Sequence, residues 1–345
     1  MVAERLRGIL VGLGGRGRYW LNTGLRHPAV TWVAGVEPDE GNRQRAVQAG
    51  MPADHLYPTL AEAMAGLDGA ADFVMDVTPP ATHEAIALET FRLGLHLIGE
   101  KPMSDDFAAA RRMVAAGRHA QRHHMITQNY RFGPQPRTTR RLLAEGLLGP
   151  VGQIDVAFFM PWADKADSHY VKYPYMFTKD MGIHHFDLLR YVLDSEPESV
   201  RCVTWNPAWG WHQGDASHVA VFSFANGARA VHRGVGCAVG TKTTWNGEWR
   251  IEGPCGTLTW EGPDMYRTWL HRTERPLREQ VFPDRSAVPA NQDPLLSEFA
   301  AALREGREPE CNAADNLHSL AMVEACVRSA EAGGEEVSIR ALLEE

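Results

Sequence analysis

Three stretches of the chain carry residue types from which chemistry could be built. Gly12-Leu13-Gly14-Gly15-Arg16-Gly17 has GxGxxG spacing and lies between an apolar run and a segment of helical pattern. In such a turn Gly12 permits the tight bend, Gly14 lets backbone approach a pyrophosphate, and Gly17 allows close helix–strand packing. The phosphates then meet the N–H groups at the helix N-terminus. Glu37 ends the next apolar run, at about 20 residues past the motif, where the dinucleotide fingerprint expects an acid. A carboxylate there accepts from the ribose 2′-hydroxyl and repels a 2′-phosphate, so NAD is favoured over NADP. Arg43, beyond Pro38, leaves NADP as the lesser option.

The second stretch is Gly99-Glu100-Lys101-Pro102, at the carboxyl end of the fifth expected strand. Ligands of open α/β sheets bind beyond such ends. A lysine beside a cationic nicotinamide and away from water would have a lowered pKa, suited to proton transfer, although taken alone it reads as a solvated lysine at a strand end. The third runs from Lys179 to Leu193. At helical spacing Asp180, His184, Asp187 and Tyr191 share one stripe, while Ile183, Phe186, Leu188, Leu189, Val192 and Leu193 are apolar. So apolar a helix is buried, and its polar stripe must face a network or a wet cleft. His185 falls off the stripe and reads as a satisfied structural residue. Metal is a minor reading, because HExxH and any third ligand with clear spacing are absent. No GxSxG or cysteine motif points to a nucleophile.

The elements that must position these groups divide the chain. Leu6–Leu13, Val30–Val36, Asp72–Val77, Leu95–Gly99 and Met125–Thr127 read as buried strands separated by helical stretches such as Ala81–Leu93 and Phe107–Arg122. That alternation predicts a Rossmann-type, doubly wound parallel sheet over residues 1–127. Residues 128–345 predict an α+β domain built around one open sheet, to which the resemblance described below adds substrate binding and oligomerisation. Its helix spans Pro134 to Gly146. Its strands are Val151–Phe159, Val200–Trp205, His218–Phe224, Ala228–Val235, Trp249–Glu252, Thr257–Trp260 and Met265–His271, forming a large open, mainly antiparallel sheet. Helices at Leu295–Arg304 and Ala314–Ala332 close the chain.

At 345 residues the chain exceeds what one core usually organises. Its 44% hydrophobic and 23% charged residues exclude disorder, a collagen-like fibre and a coiled coil. A net charge of −8 argues against nucleic acid as partner. No apolar run approaches the ~20 residues of a spanning helix, and no signal-peptide anatomy is visible. Cys202, Cys237, Cys255, Cys311 and Cys326 are scattered, which predicts free thiols in a reducing cytoplasm.

The glycine motif at Gly12–Gly17, Glu100-Lys101-Pro102, Asn129-Tyr130-Arg131-Phe132 and Asp180-xxx-His184-xx-Asp187 occur in one order. In this the chain resembles the Gfo/Idh/MocA oxidoreductases over essentially its whole length. The resemblance implies an N-terminal Rossmann domain holding NAD or NADP, and a C-terminal domain whose sheet builds homodimers or homotetramers. Sugars, cyclitols and related polyols are the implied substrates. Carried over by position, Lys101, Asp180 and His184 match the catalytic residues. Gly12, Gly14, Gly15, Arg16, Gly17 and Glu37 would hold the cofactor, with Thr78, Pro79 and His83 in a loop lining it and Glu100, Lys101 and Asn129 beside its nicotinamide half. Lys101, Arg131, Trp162, Asp180 and His184 are the candidates for substrate contact, and no metal is implied. One departure is Tyr173-Pro174-Tyr175-Met176-Phe177, where members of the family often have a glycine-rich run.

The expected reaction is reversible hydride transfer between a secondary alcohol carbon and nicotinamide, with His184 as base assisted by Asp180, and Lys101 holding the substrate oxygen. The roles of Lys101 and His184 are interchangeable at this level. Trp205, Trp209 and Trp211 could stack on a pyranose, with His212, Gln213 and Asp215 bonding hydroxyls, or could equally pack the sheet or an interface. Two further readings are glycoside cleavage by transient oxidation and elimination, and a non-catalytic NAD-bound regulator. The retained Lys101 and His184 speak against the latter.

Overall fold

The computed structural model describes residues 4–162, 169–270, 276–285 and 293–345. The chain divides into two units, Met1–Asn129 with Val288–Leu317, and Tyr130–Ala287 with His318–Glu345.

The first unit is a six-stranded parallel sheet. Its strands are β1 (Leu6–Val11), β2 (Val30–Val36), β3 (Leu56–Tyr57), β4 (Phe73–Asp76), β5 (His96–Gly99) and β6 (His124–Ile126), in the order β3-β2-β1-β4-β5-β6. Every pairing is parallel. Val, Ile, Leu and Phe make the strands apolar on both faces, and Ile9, Leu10, Phe73, Val74, Met75 and Ile98 are wholly buried. The order reverses between β1 and β4, the switch point at which such sheets bind ligands. Helices Gly15–Arg26, Glu40–Gln48, Leu60–Gly66, His83–Arg92 and Phe107–His119 return the chain between strands. Asp39, Thr59 and Asp106 cap three of them by accepting backbone N–H bonds.

The segment Val288–Leu317, expected with everything else after residue 127 in one second domain, belongs to the first unit. The reason is its apolar stripe. Helix Pro294–Glu305 buries Leu295, Leu296, Phe299 and Ala300, and the Phe299 ring meets Phe73 edge-on at 5.3 Å. Beyond it, the Cys311 carbonyl accepts from Ile126 N–H at the open edge of β6.

The second unit is a nine-stranded mixed sheet. It comprises β7 (Gln153–Phe159), β8 (Pro197–Trp205), β9 (Ser217–Phe224), β10 (Arg229–Val235), β11 (Glu248–Gly253), β12 (Gly256–Glu261), β13 (Asp264–Leu270), β14 (Pro276–Val281) and β15 (Val337–Ser338). The order is β14-β13-β12-β11-β7-β10-β9-β8-β15, antiparallel throughout save for β7 beside β10. His271, expected to end β13, lies outside the described residues. Period-two alternation buries His218, Ala220, Phe222 and Phe224 on β9, and Ala230 and His232 on β10. Against this face lies helix Ile183–Leu193, every residue of which is buried. Phe186 is its anchor, meeting Phe222, His218 and His232 edge-on at 4.9, 6.1 and 5.3 Å. Among the described residues no helix is long and apolar enough to cross a membrane.

Candidate active site

In the first unit the glycine turn follows β1 directly. Gly12 stands at φ +88°, and a Cβ there would lie 2.9 Å from the Val77 backbone. A Cβ on Gly17 would sit 2.0 Å from the Gly12 carbonyl oxygen, so only glycine fits. Gly14 and Gly15 behave differently, since nothing lies within 4 Å of either missing Cβ. Helix Gly15–Arg26 starts there with no side chain capping its N–H groups and no acid in its first turn. Open backbone at a positive helix end is the cradle a pyrophosphate requires. At the end of β2, Glu37 is buried, and its carboxylate accepts from Leu13 N–H at 2.9 Å and Asp39 N–H at 3.1 Å. The charge is thereby fixed beside the glycine turn with lone pairs to spare for a hydroxyl. Arg43 donates to the Glu37 and Pro38 carbonyls and pairs with Glu40.

Glu100 and Lys101 follow β5. Glu100 is 6% exposed and gathers four donors. Arg16 Nε and the Trp20 indole N–H each donate to Oε1 at 2.6 Å, while the Thr127 hydroxyl (3.0 Å) and Lys101 N–H (3.2 Å) donate to Oε2. Arg16 also covers the Tyr19 ring at 4.5 Å. The Lys101–Pro102 bond is cis. His83, buried at the start of its helix, spans two loops. Its Nε2 lies 2.8 Å from the Thr78 carbonyl, and its Nδ1 lies 3.1 and 3.2 Å from those of Pro102 and Met103. Thr78 donates to Asp76 through both N–H and hydroxyl, and burial raises the Asp76 carboxyl above its usual range. Asn129 N–H bonds the Thr127 carbonyl, and Pro79 caps the short turn Pro80–Thr82. Every cofactor candidate thus lies on the turns after β1, β2, β4, β5 and β6, at the carboxyl edge of one sheet.

In the second unit Asp180 and His184 occupy a junction that helical spacing alone does not describe. Phe177–Gly182 is a π-helix that runs directly into the α-helix Ile183–Leu193. The single α-helical stripe expected for Asp180, His184, Asp187 and Tyr191 is therefore broken after Asp180. Wide turns of this kind recur at functional sites. Tyr175, at φ +51°, takes the left-handed conformation that glycine usually supplies, in the segment where the family often has glycine. His184 is buried and stacks face to face on Tyr130 at 4.2 Å and 9°.

The rest of the stripe faces a network. Arg131 forks onto Asp187 through Nε and Nη2, at 2.5 and 2.6 Å, with both side chains buried. Ser319 donates to Asp187 Oδ1 and accepts from Arg190. Tyr191 lies beneath the guanidinium groups of Arg131, Arg137 and Arg140. Trp162 is 7% exposed and meets Phe177 edge-on, within a cluster that includes Phe158, Met160, Met176 and Met181. Trp211 packs on that cluster, whereas Trp209 is 67% exposed and gives its indole N–H to the Cys237 carbonyl. Among the described residues, no group of three or more His, Cys, Asp or Glu side chains is arranged to hold a metal.

His185 is fully buried and hydrogen-bonded, as expected of a structural residue. His232 bonds it directly, and His218 and Thr178 continue the line beyond; none of the three is among the expected site residues. Their signal was available, because His218 and His232 share the parity of the buried residues on β9 and β10.

Two family profiles match this chain. Residues 6–128 fit the oxidoreductase family with NAD-binding Rossmann fold, and residues 136–259 fit the GFO/IDH/MocA C-terminal domain. The chain belongs to the Gfo/Idh/MocA oxidoreductase family. It is 28% identical over 296 residues to inositol 2-dehydrogenase of Rhizobium meliloti, covering 79% of this chain and 86% of that one. It is 25% identical over 344 residues to D-apiose dehydrogenase of Paraburkholderia graminis, covering 96% and 89%. A crystal structure of an oxidoreductase from Agrobacterium radiobacter, in complex with NAD+, L-tartaric acid and magnesium, has the same fold. Its TM-score is 0.84 at 22% identity, over 98% of this chain and 100% of that one.

Proposed function

We propose that this protein is an NAD-dependent dehydrogenase acting on a secondary alcohol carbon of a sugar, cyclitol or related polyol, with NADP the less favoured cofactor. The observation that carries the reading is the open backbone at Gly14 and Gly15 beside the fixed Glu37 carboxylate, in a family member that keeps Lys101, Asp180 and His184. Relatives named inositol 2-dehydrogenase and D-apiose dehydrogenase support this choice of substrate class. The pyrophosphate would rest on the glycine turn and Glu37 would take the ribose hydroxyls. When bound, the nicotinamide supplies the hydride acceptor.

The protein's own share of the reaction is proton handling and charge placement. Removing hydride from a carbinol leaves a hydroxyl proton that needs a positioned base. His184, its ring stacked flat on Tyr130, takes that role, with Asp180 four residues earlier in the adjoining π-helix assisting. The Lys101 ammonium holds the substrate oxygen and stabilises its developing negative charge. Arg131 and Trp162 are the remaining candidates for substrate contact, and both are buried, Arg131 on Asp187 and Trp162 against Phe177. We also propose a homodimer or homotetramer through the nine-stranded sheet, which exposes Val203, Trp205 and Val221. A monomer in light scattering would remove that last part.

The test is NAD reduction, read at the nicotinamide absorbance, with a panel of aldoses, D-apiose, myo-inositol and other cyclitols. Turnover with at least one member is expected, at NAD concentrations well below those needed of NADP. No turnover across the panel would overturn the dehydrogenase reading, and a preference for NADP would overturn the role of Glu37.

A further inference from the structure

Three histidines that the proposed chemistry does not use form one continuous line of hydrogen bonds in the core of the second unit. His185 Nε2 lies 2.9 Å from the Trp245 carbonyl, and His185 Nδ1 lies 2.9 Å from His232 Nε2. His232 Nδ1 lies 2.8 Å from His218 Nε2, and His218 Nδ1 lies 2.9 Å from the Thr178 hydroxyl. All three rings are 0% exposed. β10 makes room for them, since a Cβ on Gly234 would stand 2.5 Å from the His218 ring.

The ends dictate the direction of the line. A carbonyl only accepts, so His185 donates through Nε2–H to Trp245. A neutral imidazole carries one N–H, so His185 Nδ1 accepts from His232 Nε2–H. By the same step His232 Nδ1 accepts from His218 Nε2–H, and His218 Nδ1 accepts from the Thr178 hydroxyl. Neutrality follows from burial, which lowers the pKa of His185 to about 4 and of His218 to about 3, with His232 also well below its ordinary value. His232 is disfavoured further by His218, His185 and Arg233. A proton on any ring would turn an acceptor into a donor and reverse the bonds beyond it.

Both ends of this line meet the elements that carry the candidate chemistry. Thr178 lies in the π-helix two residues before Asp180, and His185 follows His184. We propose that His185, His232 and His218 are positioning residues which, through Thr178, hold the π-helix so that Asp180 and His184 are set for proton transfer. Satisfied buried polar lines select one arrangement, because every alternative leaves a polar group unpaired. This inference rests on the dehydrogenase reading for its catalytic meaning, but not for its tautomers.

Long-range nitrogen–proton NMR of the wild-type imidazoles tests the line without any substrate. The expected result is the Nε2–H tautomer at all three positions, unchanged between about pH 5 and 8. An Nδ1–H tautomer at any of them, or titration in that range, would overturn the proposal. On the polyol that gives wild-type turnover, Thr178→Val should cut kcat about tenfold or more. The KM for NAD should stay within about twofold, and Thr178→Ser should restore kcat to within about threefold. A folded Thr178→Val variant with kcat within about twofold of wild type would also overturn it. Asp180→Asn, run alongside, separates the two ideas. Wild-type kcat in that variant sinks the catalytic assignment, whereas its loss together with an unaffected Thr178→Val sinks the positioning line alone.

Discussion

Arg131 and Asp187 form a two-pronged ion pair with side-chain exposures of 7% and 1%, and Ser319 adds a further bond to the same carboxylate. Removing one partner of a buried pair strands the other charge, at a typical cost of about 3–5 kcal/mol. Arg131→Met should therefore lower the unfolding free energy by about that amount in a denaturant titration. Arg131→Met with Asp187→Leu should recover a good part of it. A loss below about 1 kcal/mol in the single variant would show that the pair is not structural.

Gly17→Ala probes the cofactor turn at its tightest contact. The new methyl would have to occupy space 2.0 Å from the Gly12 carbonyl oxygen and 2.8 Å from its carbon, both backbone atoms. The turn must open, so NADH affinity measured by tryptophan quenching should fall by about tenfold or more, with the second unit still folded. Unchanged affinity would mean that the dinucleotide does not use this turn.

For Lys101→Ala the expected effect lies in turnover. Loss of a group that handles a proton or a developing charge usually costs about 10²–10⁴-fold in kcat. NAD affinity should change little, because the Glu100 bond to this residue comes from the backbone N–H, which alanine keeps. Near-wild-type kcat would remove Lys101 from the mechanism.

The buried histidines of the second unit make stability depend on pH with a definite sign. In the folded chain burial lowers His185 to about 4 and His218 to about 3. Unfolded, each takes a proton near its ordinary pKa of about 6.5. Below about pH 6.5 the unfolded chain binds more protons, so stability is full above that value and declines as pH falls toward about 4. The slope is about 1.4 kcal/mol per pH unit for each such ring. Unfolding free energies at pH 7 and pH 5 should differ accordingly, and His218→Phe should flatten the dependence. An identical slope in that variant would refute the assignment.

Much of the fold was legible because burial leaves a mark on composition. Val30–Val36 was readable to the residue, since a strand covered on both faces is a largely apolar run, here interrupted only by Thr31 and ended by Glu37. Leu56–Tyr57 is too short to show periodicity, and Pro276–Val281 is an edge strand whose proline and charges suit an exposed border rather than a core. The return of Val288–Leu317 to the first unit is a long-range choice, which Phe299 settles only by finding Phe73. In the candidate site the positions of the glycine turn and Glu37 could be read from spacing, whereas Lys101 stood out only through the strand end it follows and the family resemblance. The π-helix could not, because one added residue in a turn leaves no local signature. Nor could the fork between Arg131 and Asp187, whose partners lie 56 positions apart.

The four donors converging on Glu100 have a mechanical consequence. The helix that opens the cofactor turn, through Arg16 and Trp20, and the strand end bearing Lys101 are moored to a single anion. Tilting one therefore drags the other. Any redesign of dinucleotide preference that disturbs Arg16 will also shift the lysine, and affinity and turnover will drift together rather than be tuned separately.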